Sequence, residues 1–292
     1  MDSNEVEKAY SPSQWSKRLS ANVICQKHVE FIEKESLKVK QIISSDLNIP
    51  YGPRPREKID IFGTDLKNDS PIFIFIHGGY WQEKVITKDM QSFLAKAMYQ
   101  NKIKTICIGY ELCPDVTFEE LVGNIEAAAE YCLKYCRRNG SRGMHFAGHS
   151  AGAHLVAKIF NNYLQKIPLT DQKLFKSAFL LSGIFDLTPL LKTSYNSALK
   201  LDEECAKKAS PMFQDFYRSP SSKFYVIAAE YDPPAFRKQA ELFHEKLVSL
   251  EIDSTHRIIK NVDHFDIIEN LSLECFDLTK FIINVINKVN VN

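Results

Sequence analysis

The sequence lacks long hydrophobic runs and any large excess of one charge. Although 45% of its 292 residues are hydrophobic, no apolar stretch approaches the roughly 20 residues of a membrane-spanning helix. The 37 Lys and Arg residues nearly balance 36 Asp and Glu residues, for a formal net charge of +1, and no dense basic run is present. We therefore expect no membrane span and no nucleic-acid partner, and a small, weakly charged substrate fits better.

The sequence also lacks the signs of secretion and of metal binding. Its first residues are acidic and polar, whereas a secretory signal begins basic and continues apolar. Seven cysteines are an odd number, which indicates free thiols in a reducing compartment rather than a disulfide framework. Cys132 and Cys136 have helical spacing, but no second Cys or His pair stands nearby to complete four metal ligands. These features predict a cytoplasmic protein without a metal site.

Short apolar runs alternate with helical stretches through most of the chain. Seven runs rich in Ile, Val and Phe are typical of buried strands, at 59–62, 72–76, 105–108, 144–147, 178–181, 224–228 and 256–259. Helical patterns occupy 88–99, 118–137, 153–163, 234–250 and 267 to the end. The alternation predicts a single α/β domain over 1–292, with a mostly parallel sheet covered by helices on both faces.

Two segments depart from this alternation. Near the start, Ser11 followed by Pro12 favours a helix start, and helical propensity extends over about 10–40. Such a helix either packs on the back of the domain or lies across its functional edge, and the sequence leaves both open. The segment of about 187–222 contains Pro189, Pro211 and Pro220 and is too long for a plain crossover, which predicts a small helical lid over the strand ends.

The stretch from Met144 to Gly152 combines a strand, a sharp turn and a helix start. It contains a Gly-x-Ser-x-Gly pattern with Ser150 at the apex. Glycines at the two outer positions avoid the crowding that side chains would cause beside the turn. The arrangement favours Ser150 as a nucleophile, although a serine that only caps the following helix would fit the same pattern.

A carboxylate and an imidazole follow two later strands. Asp232 comes after the run 224–228, and His264 comes after the run 256–259. Because loops after parallel strands gather at one edge of a sheet, Ser150, Asp232 and His264 are expected to meet there, in the chain order of the α/β-hydrolases. His264 would accept the serine proton, and Asp232 would orient the imidazole. As alternatives, Asp232 could cap a helix and His264 could be an incidental loop residue.

Other acids and histidines compete for these roles. Asp186 also ends a strand and is the strongest rival acid, unless it caps the next helix. Asp263 and Asp266 flank His264 and are expected to be solvated or capping. The His149 side chain is expected to point elsewhere at so tight a turn. Three further histidines do not follow the carboxyl end of a strand, namely His154, His244 and His256.

A glycine pair follows the strand at 72–76. Two adjacent glycines leave backbone amides unshielded, so Gly78 and Gly79 are predicted to point N–H groups at the oxygen that also meets the Ala151 N–H. Such a cluster of donors would stabilise the oxyanion of a tetrahedral intermediate. Glycines in an ordinary tight turn are the alternative.

The pattern His-Gly-Gly-Tyr-Trp at 77–81, with Gly-His-Ser-Ala-Gly-Ala-His-Leu at 148–155, resembles the arylformamidases, also called kynurenine formamidases. These are relatives of the hormone-sensitive-lipase-like esterases among the α/β-hydrolases. Further matches are Tyr-Ser-Pro-Ser at 10–13, Ser-Gly-Ile-Phe-Asp-Leu at 182–187 and Val-Asp-His-Phe at 262–265, so nearly the whole chain is covered. The first pattern discriminates best, since many related lipases and esterases carry a third glycine in place of Tyr80.

The resemblance implies hydrolysis of N-formyl-L-kynurenine to L-kynurenine and formate, in tryptophan catabolism, without metal or organic cofactor. By matching position, Ser150 is the nucleophile, Asp232 the acid and His264 the base. The implied oxyanion donors are the amides of Gly78, Gly79 and Ala151. An aryl leaving group favours apolar walls beside the donors. The sequence offers Tyr80, Trp81 and Phe265 for them.

Two alternative functions stay open from the sequence. A general carboxylesterase would use the same machinery, which attacks esters more readily than amides. A catalytically silent hydrolase fold used for protein binding would lack a triad member, whereas all three candidates are present. The number of subunits is also open, with a homodimer as one option.

Overall fold

The computed structural model describes residues 2–219 and 221–289, and a single sheet organises them. Its strands are β1 (Ser45–Pro50), β2 (Lys58–Phe62), β3 (Ile72–Ile76), β4 (Lys104–Ile108), β5 (Met144–His149), β6 (Phe175–Leu181), β7 (Lys223–Ala229) and β8 (Ser254–Ile259). The spatial order is β1-β2-β4-β3-β5-β6-β7-β8. β1 and β2 run antiparallel to their neighbours, and all pairings from β4 to β8 are parallel. The predicted α/β fold with a mostly parallel sheet is confirmed.

Helices connect the strands. The α-helices are α1 (Ser3–Ala9), α2 (Ala21–Ile42), α3 (Ala95–Gln100), α4 (Phe118–Asn139), α5 (Ala151–Lys158), α6 (Leu169–Gln172), α7 (Asn196–Leu199), α8 (Glu203–Ala209), α9 (Pro234–Ser249), α10 (Asp266–Glu269) and α11 (Asp277–Val289). Short 3-10 turns lie at Pro12–Gln14, Lys88–Met90, Ser92–Leu94, Leu164–Lys166, Thr188–Lys192, Pro211–Phe213 and Asn270–Ser272, and a π-helical turn extends α5 over Ile159–Tyr163. None of the helices in the described part of the chain has the combined length and hydrophobicity of a membrane span.

The core lies on both faces of the sheet because successive strand side chains point to opposite sides. In β3, three isoleucines pack on one face with α4, α5 and α9. Phe73 and Phe75 alternate with them and pack on the other face with α3 and α11. Both faces of the strand are therefore buried, as its uninterrupted apolar sequence predicts.

The sequence signals at the ends of α4 explain its limits. Thr117 and Glu120 form a capping box: Glu120 N donates to Thr117 Oγ1 at 3.2 Å, and Thr117 N donates to the Glu120 carboxylate at 2.8 Å. The helix ends before Gly140, whose φ of 62° is the left-handed conformation that glycine adopts without strain. The helix extends two residues beyond the predicted end at 137.

Several predicted limits were wrong. The prediction of seven strands missed β1, because this edge strand is largely exposed and carries polar residues and a proline instead of an apolar run. The stretch 88–99 forms two 3-10 turns and then α3, not one helix. The final predicted helix is interrupted between α10 and α11, and its last residues, 290–292, lie outside the described part of the chain.

The two exceptional segments contain helices with different limits from those predicted. Near the start, Pro12–Gln14 is only a 3-10 turn without a Ser11 side-chain cap, and the long helix α2 begins at Ala21. The segment of about 187–222 contains α7, α8 and two 3-10 turns, while Pro220 lies outside the described residues. Several of its apolar side chains join the core, and its role as a lid stays a prediction.

Candidate active site

Ser150 lies in a strained turn between β5 and α5. Its φ of 55° and ψ of −120° are unusual for a residue with a side chain. A Cβ at Gly148 would stand 2.2 Å from the Gly152 carbonyl oxygen, and a Cβ at Gly152 would stand 2.1 Å from the Ile76 carbonyl oxygen. Both glycines are therefore required by close backbone approach. The Ser150 side chain makes no capping hydrogen bond, so the interpretation as a helix cap was wrong.

Asp232 and His264 meet at the carboxyl ends of β7 and β8. His264 Nδ1 donates to Asp232 Oδ1 at 2.7 Å. Asp232 Oδ2 accepts from the Ser182 hydroxyl at 2.6 Å and from the Ala229 N–H at 2.7 Å. Because the carboxylate accepts only, the proton lies on Nδ1 and leaves His264 Nε2 available as a base. Asp232 makes no cap of α9, whose N-cap residue is Pro233.

Ser150 and His264 line one cavity. Among residues 2–219 and 221–289, no hydrogen bond joins Ser150 Oγ to His264 Nε2, and both atoms lack a hydrogen-bond partner. Hydrogen bonds of this kind commonly tighten only when substrate is bound. The structure thus brings together the three predicted triad residues, with the Asp–His bond formed and the serine hydroxyl free.

The rival acids have structural roles in the described chain. Asp186 Oδ1 accepts from Thr188 N and Oγ1 at 2.9 and 2.7 Å, within the turn that precedes Thr188–Lys192. Asp263 accepts from the amides of Phe265 and Asp266 at 2.9 and 3.0 Å. It is therefore a capping residue, as expected, but at 1% exposure it is not solvated.

His149 remains beside the catalytic groups, contrary to the prediction that its side chain points elsewhere. Its Nε2 lies 2.8 Å from the carbonyl oxygen of His264, and the two rings are 4.5 Å apart. Burial, followed by the nearby His264 and His28, lowers the pKa of His149 well below the ordinary value. The neutral His149 ring therefore donates Nε2–H to the loop that carries His264. No local sequence signal predicts this contact.

The glycine pair after β3 lies against the nucleophile turn. A Cβ at Gly78 would stand 2.9 Å from the His149 carbonyl oxygen and 3.0 Å from Ser150 Cβ. Gly79 has a φ of +105°, which residues with side chains rarely adopt. The amides of Gly78 and Gly79 have no hydrogen-bond partner within the described chain. Ala151 is the first residue of α5, where the backbone N–H is free of intrahelical bonding.

The cavity has a volume of about 670 Å³, in the range typical of small-molecule sites. Phe265 and Tyr80 line it, as predicted from the sequence. The Tyr80 ring stacks on Tyr195 with centroids 3.7 Å apart, and its hydroxyl donates to the Tyr10 carbonyl. Burial raises the pKa of Tyr80 well above the ordinary value, so it stays neutral. Tyr195, from the predicted lid, is a wall residue that the sequence did not identify.

The placement of Trp81 in the substrate pocket was wrong. Its side chain is fully buried and is not part of the cavity wall. The indole packs edge-on against Phe118 and His154, at centroid distances of 5.4 and 5.1 Å. Tyr80 and Trp81 both have positive φ, so the simple alternation of side chains along a strand does not apply. The turn therefore presents Tyr80 to the cavity and Trp81 to the core.

The first part of α2 forms the opposite wall of the cavity. Cys25, His28 and Val29 line the cavity at the i, i+3, i+4 spacing of one helix face. One turn further on, Ile32 packs into the core beneath the sheet. The helix therefore lies across the functional edge, the second of the two options that the sequence left open.

Comparisons with known proteins show the family of this chain. The BD-FAE family model matches residues 59–247. The kynurenine formamidase of Salmo salar is 34% identical over 293 residues, covering 99% of this chain and 98% of that protein. The kynurenine formamidase of Danio rerio is 33% identical over 292 residues, with 99% and 98% coverage.

Solved structures agree on the fold. A crystal structure from Silicibacter sp. TM1040, provisionally described as a thioesterase, has a TM-score of 0.77 and 28% identity, covering 97% of this chain and 99% of that one. An esterase of Pyrobaculum calidifontis has a TM-score of 0.67 at 18% identity, with 91% and 93% coverage, which shows the shared fold alone. With its near full-length relatives above 30% identity, this chain belongs to the kynurenine formamidase family of α/β-hydrolases.

Proposed function

We propose that this protein is a serine hydrolase that cleaves the formamide of N-formyl-L-kynurenine to L-kynurenine and formate, a step of tryptophan catabolism. The observation that carries the proposal is the 2.7 Å Asp232–His264 hydrogen bond beside a cavity that Ser150 also lines. The family membership supports the choice of substrate, because its curated relatives are named kynurenine formamidases.

In the proposed reaction, Ser150 Oγ attacks the formyl carbon while His264 Nε2 takes the hydroxyl proton. The carbonyl oxygen becomes an oxyanion, which accepts hydrogen bonds from the amides of Gly78, Gly79 and Ala151. The intermediate collapses, the C–N bond breaks, and His264 gives its proton to the departing aromatic amine. This leaves a formyl ester on Ser150.

Water completes the cycle. His264 takes a proton from the water as its oxygen attacks the formyl ester, and a second oxyanion forms at the same amides. His264 then returns the proton to Ser150 Oγ as the ester bond breaks, which releases formate. Asp232 stays ionised and stabilises the imidazolium at each stage. These steps use only side chains and backbone amides of this chain.

The space around the nucleophile suits a formyl group. Gly78 packs closely against Ser150, since a Cβ on Gly78 would stand 3.0 Å from Ser150 Cβ. A formyl group carries only hydrogen on its carbon and needs no acyl pocket. The aromatic leaving group would lie against apolar walls that include Phe265 and Tyr80. The apolar walls therefore suit the aryl group of an aryl formamide.

The test compares two substrates of the purified full-length protein. We expect kcat/KM for N-formyl-L-kynurenine to exceed that for phenyl acetate by at least about tenfold, measured by release of kynurenine and of phenol. A tenfold ratio corresponds to about 1.4 kcal/mol of selective transition-state stabilisation. A preference for phenyl acetate would replace the proposal with the general carboxylesterase. No turnover of either substrate would favour the silent binding protein.

We also propose a cytoplasmic location and leave the homodimer as a prediction. The location is supported by seven unpaired cysteines, of which Cys25, Cys205 and Cys275 are exposed. Fractionation of cells that express the tagged protein tests the location. Light scattering of the purified protein tests the number of subunits, with a monomer mass overturning the homodimer.

A further inference from the structure

The catalytic groups account for the formamide but not for the other end of the proposed substrate. N-formyl-L-kynurenine carries an α-carboxylate and an α-ammonium, separated from the formamide by an aryl ketone. Charged groups that leave water need partners of opposite charge or hydrogen bonds. The question of which side chains supply them rests on the proposed function.

The described cavity wall contains histidines and acids but neither Lys nor Arg. Its histidines are His28, His149 and His264. His149 donates to the backbone beside the catalytic loop, and His264 is bound to Asp232. His28 is therefore the candidate partner for a carboxylate.

A buried network fixes the orientation of the His28 ring. His28 Nδ1 lies 2.8 Å from Glu269 Oε1, and Glu269 Oε2 accepts from Arg18 at 2.9 Å. Because a carboxylate accepts, Nδ1 carries a proton, and Nε2 has no hydrogen-bond partner in the described chain. The ring also lies 5.3 Å from that of Phe265, another wall of the cavity. Nε2 is thus the nitrogen left to meet a ligand, and it donates to a carboxylate when the ring carries a proton on both nitrogens.

Glu83 provides a carboxylate on the loop after β3. It lines the cavity, and no ion pair of the described residues includes it. Its backbone N–H donates to the Gly79 carbonyl at 2.8 Å, and one of its carboxylate oxygens accepts from the Val85 N–H at 3.2 Å. Glu83 and His28 therefore line the same cavity from two different elements. The other lining acid, Glu30, is already paired with Lys27 at 2.7 Å.

We propose that His28 Nε2 binds the α-carboxylate and that the Glu83 carboxylate binds the α-ammonium, so that these two side chains select aryl formamides with an amino-acid substituent. Both residues determine specificity and take no part in bond breaking. The opposite charges of the two groups match the two charges of the substituent. Chemistry and selection are thereby assigned to different side chains of one cavity.

The experiment uses four formamides that differ in the charged groups of the side chain. They are N-formyl-L-kynurenine, its decarboxylated analogue, its deaminated analogue and 2-formamidoacetophenone, which has neither charge. We expect His28→Asn to raise KM roughly tenfold for the two carboxylates, with kcat and the other two substrates unchanged. Glu83→Gln is expected to raise KM roughly threefold for the two amines, because this carboxylate is more exposed. Matched controls are His244→Asn on α9 and Glu33→Gln on the exposed face of α2.

Two outcomes would overturn the inference. If His28→Asn lowered kcat/KM by the same factor for all four substrates, His28 would have a merely structural role. Unchanged KM values in both variants would remove the subsite. A second readout separates this inference from the proposed function: L-kynurenine should inhibit phenyl acetate hydrolysis, and its inhibition constant should rise about tenfold in His28→Asn. That result would support the subsite even if N-formyl-L-kynurenine were not hydrolysed, whereas an unchanged constant would contradict it.

Discussion

The two walls of the catalytic cavity are built in different ways. On the sheet side, the nucleophile turn is set by backbone contacts, such as the 2.1 Å that would separate a Gly152 Cβ from the Ile76 oxygen. On the α2 side, position depends on side-chain contacts between remote parts of the chain. Arg18 bonds Asp263 and Glu269, which lie about 250 residues away. Short sequence motifs therefore position the catalytic groups, whereas long-range ion pairs position the α2 wall of the pocket.

The joint between the two walls is formed by Arg18, Asp263 and Asp266. The pKa values of its two carboxyl groups are shifted in opposite directions. Burial alone would raise the pKa of Asp263, but hydrogen bonds from Arg18, Ser16 and two backbone amides lower it well below the ordinary value. Burial and the neighbouring Asp263 charge raise the pKa of Asp266 to about 7. One carboxylate is therefore held ionised and the other titrates near neutral pH. Asp263 and Asp266 flank the sequence position of His264.

The largest expected effect comes from the sheet side. Ser150→Ala removes the proposed nucleophile, and kcat/KM for N-formyl-L-kynurenine should fall by at least about 10⁴-fold. The fold should remain, because the Ser150 hydroxyl makes no hydrogen bond within the described chain. Steady-state kinetics and circular dichroism check both points. Turnover close to that of the wild type would remove the serine assignment.

The second effect tests the backbone basis of the same wall. In Gly152→Ala the added Cβ would overlap the Ile76 oxygen, so unfolding free energy should fall by about 1 to 3 kcal/mol and activity by roughly 100-fold. Gly123→Ala is the matched control, since its Cβ meets nothing within 4 Å on α4. Helix propensity should stabilise that variant by about 0.5 to 1 kcal/mol. Urea unfolding measures the unfolding free energy of both variants. Equal changes in Gly152→Ala and Gly123→Ala would show that the close approach is unimportant.

The third effect is on the α2 wall. Arg18→Ala leaves the buried Asp263 without its ion-pair partner, so unfolding free energy should fall by about 1 to 3 kcal/mol. Activity toward N-formyl-L-kynurenine should fall more than activity toward phenyl acetate, because His28 loses its support through Glu269. As a control, Arg54→Ala breaks an exposed ion pair with Glu120 and should lower the unfolding free energy by less than about 1 kcal/mol. Equal losses of both activities in Arg18→Ala would contradict the division between the walls.

The smallest effect is a pH dependence of stability at the joint. The raised pKa of Asp266 means that the folded protein binds a proton that the unfolded chain has lost between about pH 4 and 7. The contribution of this proton to the unfolding free energy is therefore fully present below about pH 4 and is lost as pH rises through 7.

The variant Asp266→Asn measures that contribution. Between pH 5 and 8, wild-type unfolding free energy should decrease by about 1 to 2 kcal/mol more than that of Asp266→Asn. Asp263 is ionised in both states over this range and does not contribute. Asp277→Asn, at a side chain with 92% exposure, should leave the wild-type dependence intact. Parallel curves for wild type and Asp266→Asn would show that Asp266 does not titrate there.

Much of the sheet side could be predicted because its signals are local. Apolar runs mark buried strands, and the glycines around Ser150 mark a turn where backbone segments nearly touch. The loops that carry Asp232 and His264 follow from the rule that parallel strands end at one edge. The missed strand β1 shows the limit of this reasoning, since an exposed edge strand has no apolar run to reveal it.

The α2 side could not be predicted in the same way. Whether a helix packs behind a sheet or across its edge depends on partners such as Asp263, which are distant in sequence. The inward placement of Trp81 depends on positive φ at two successive residues, and this backbone conformation cannot be predicted from the residue types. The contact of His149 with the His264 carbonyl likewise exists only once two strand ends are side by side.

By itself, the sequence determined the alternation of strands and helices, the sharp turn at Ser150, and the order of the three proposed triad residues. These depend on neighbouring residues, through side-chain periodicity and the space that glycine leaves. Only the tertiary structure decided that α2 closes the cavity and that His28 stands in it, supported by Glu269. Those features depend on charges brought together from opposite ends of the chain, and their free energy exists only after the core has formed.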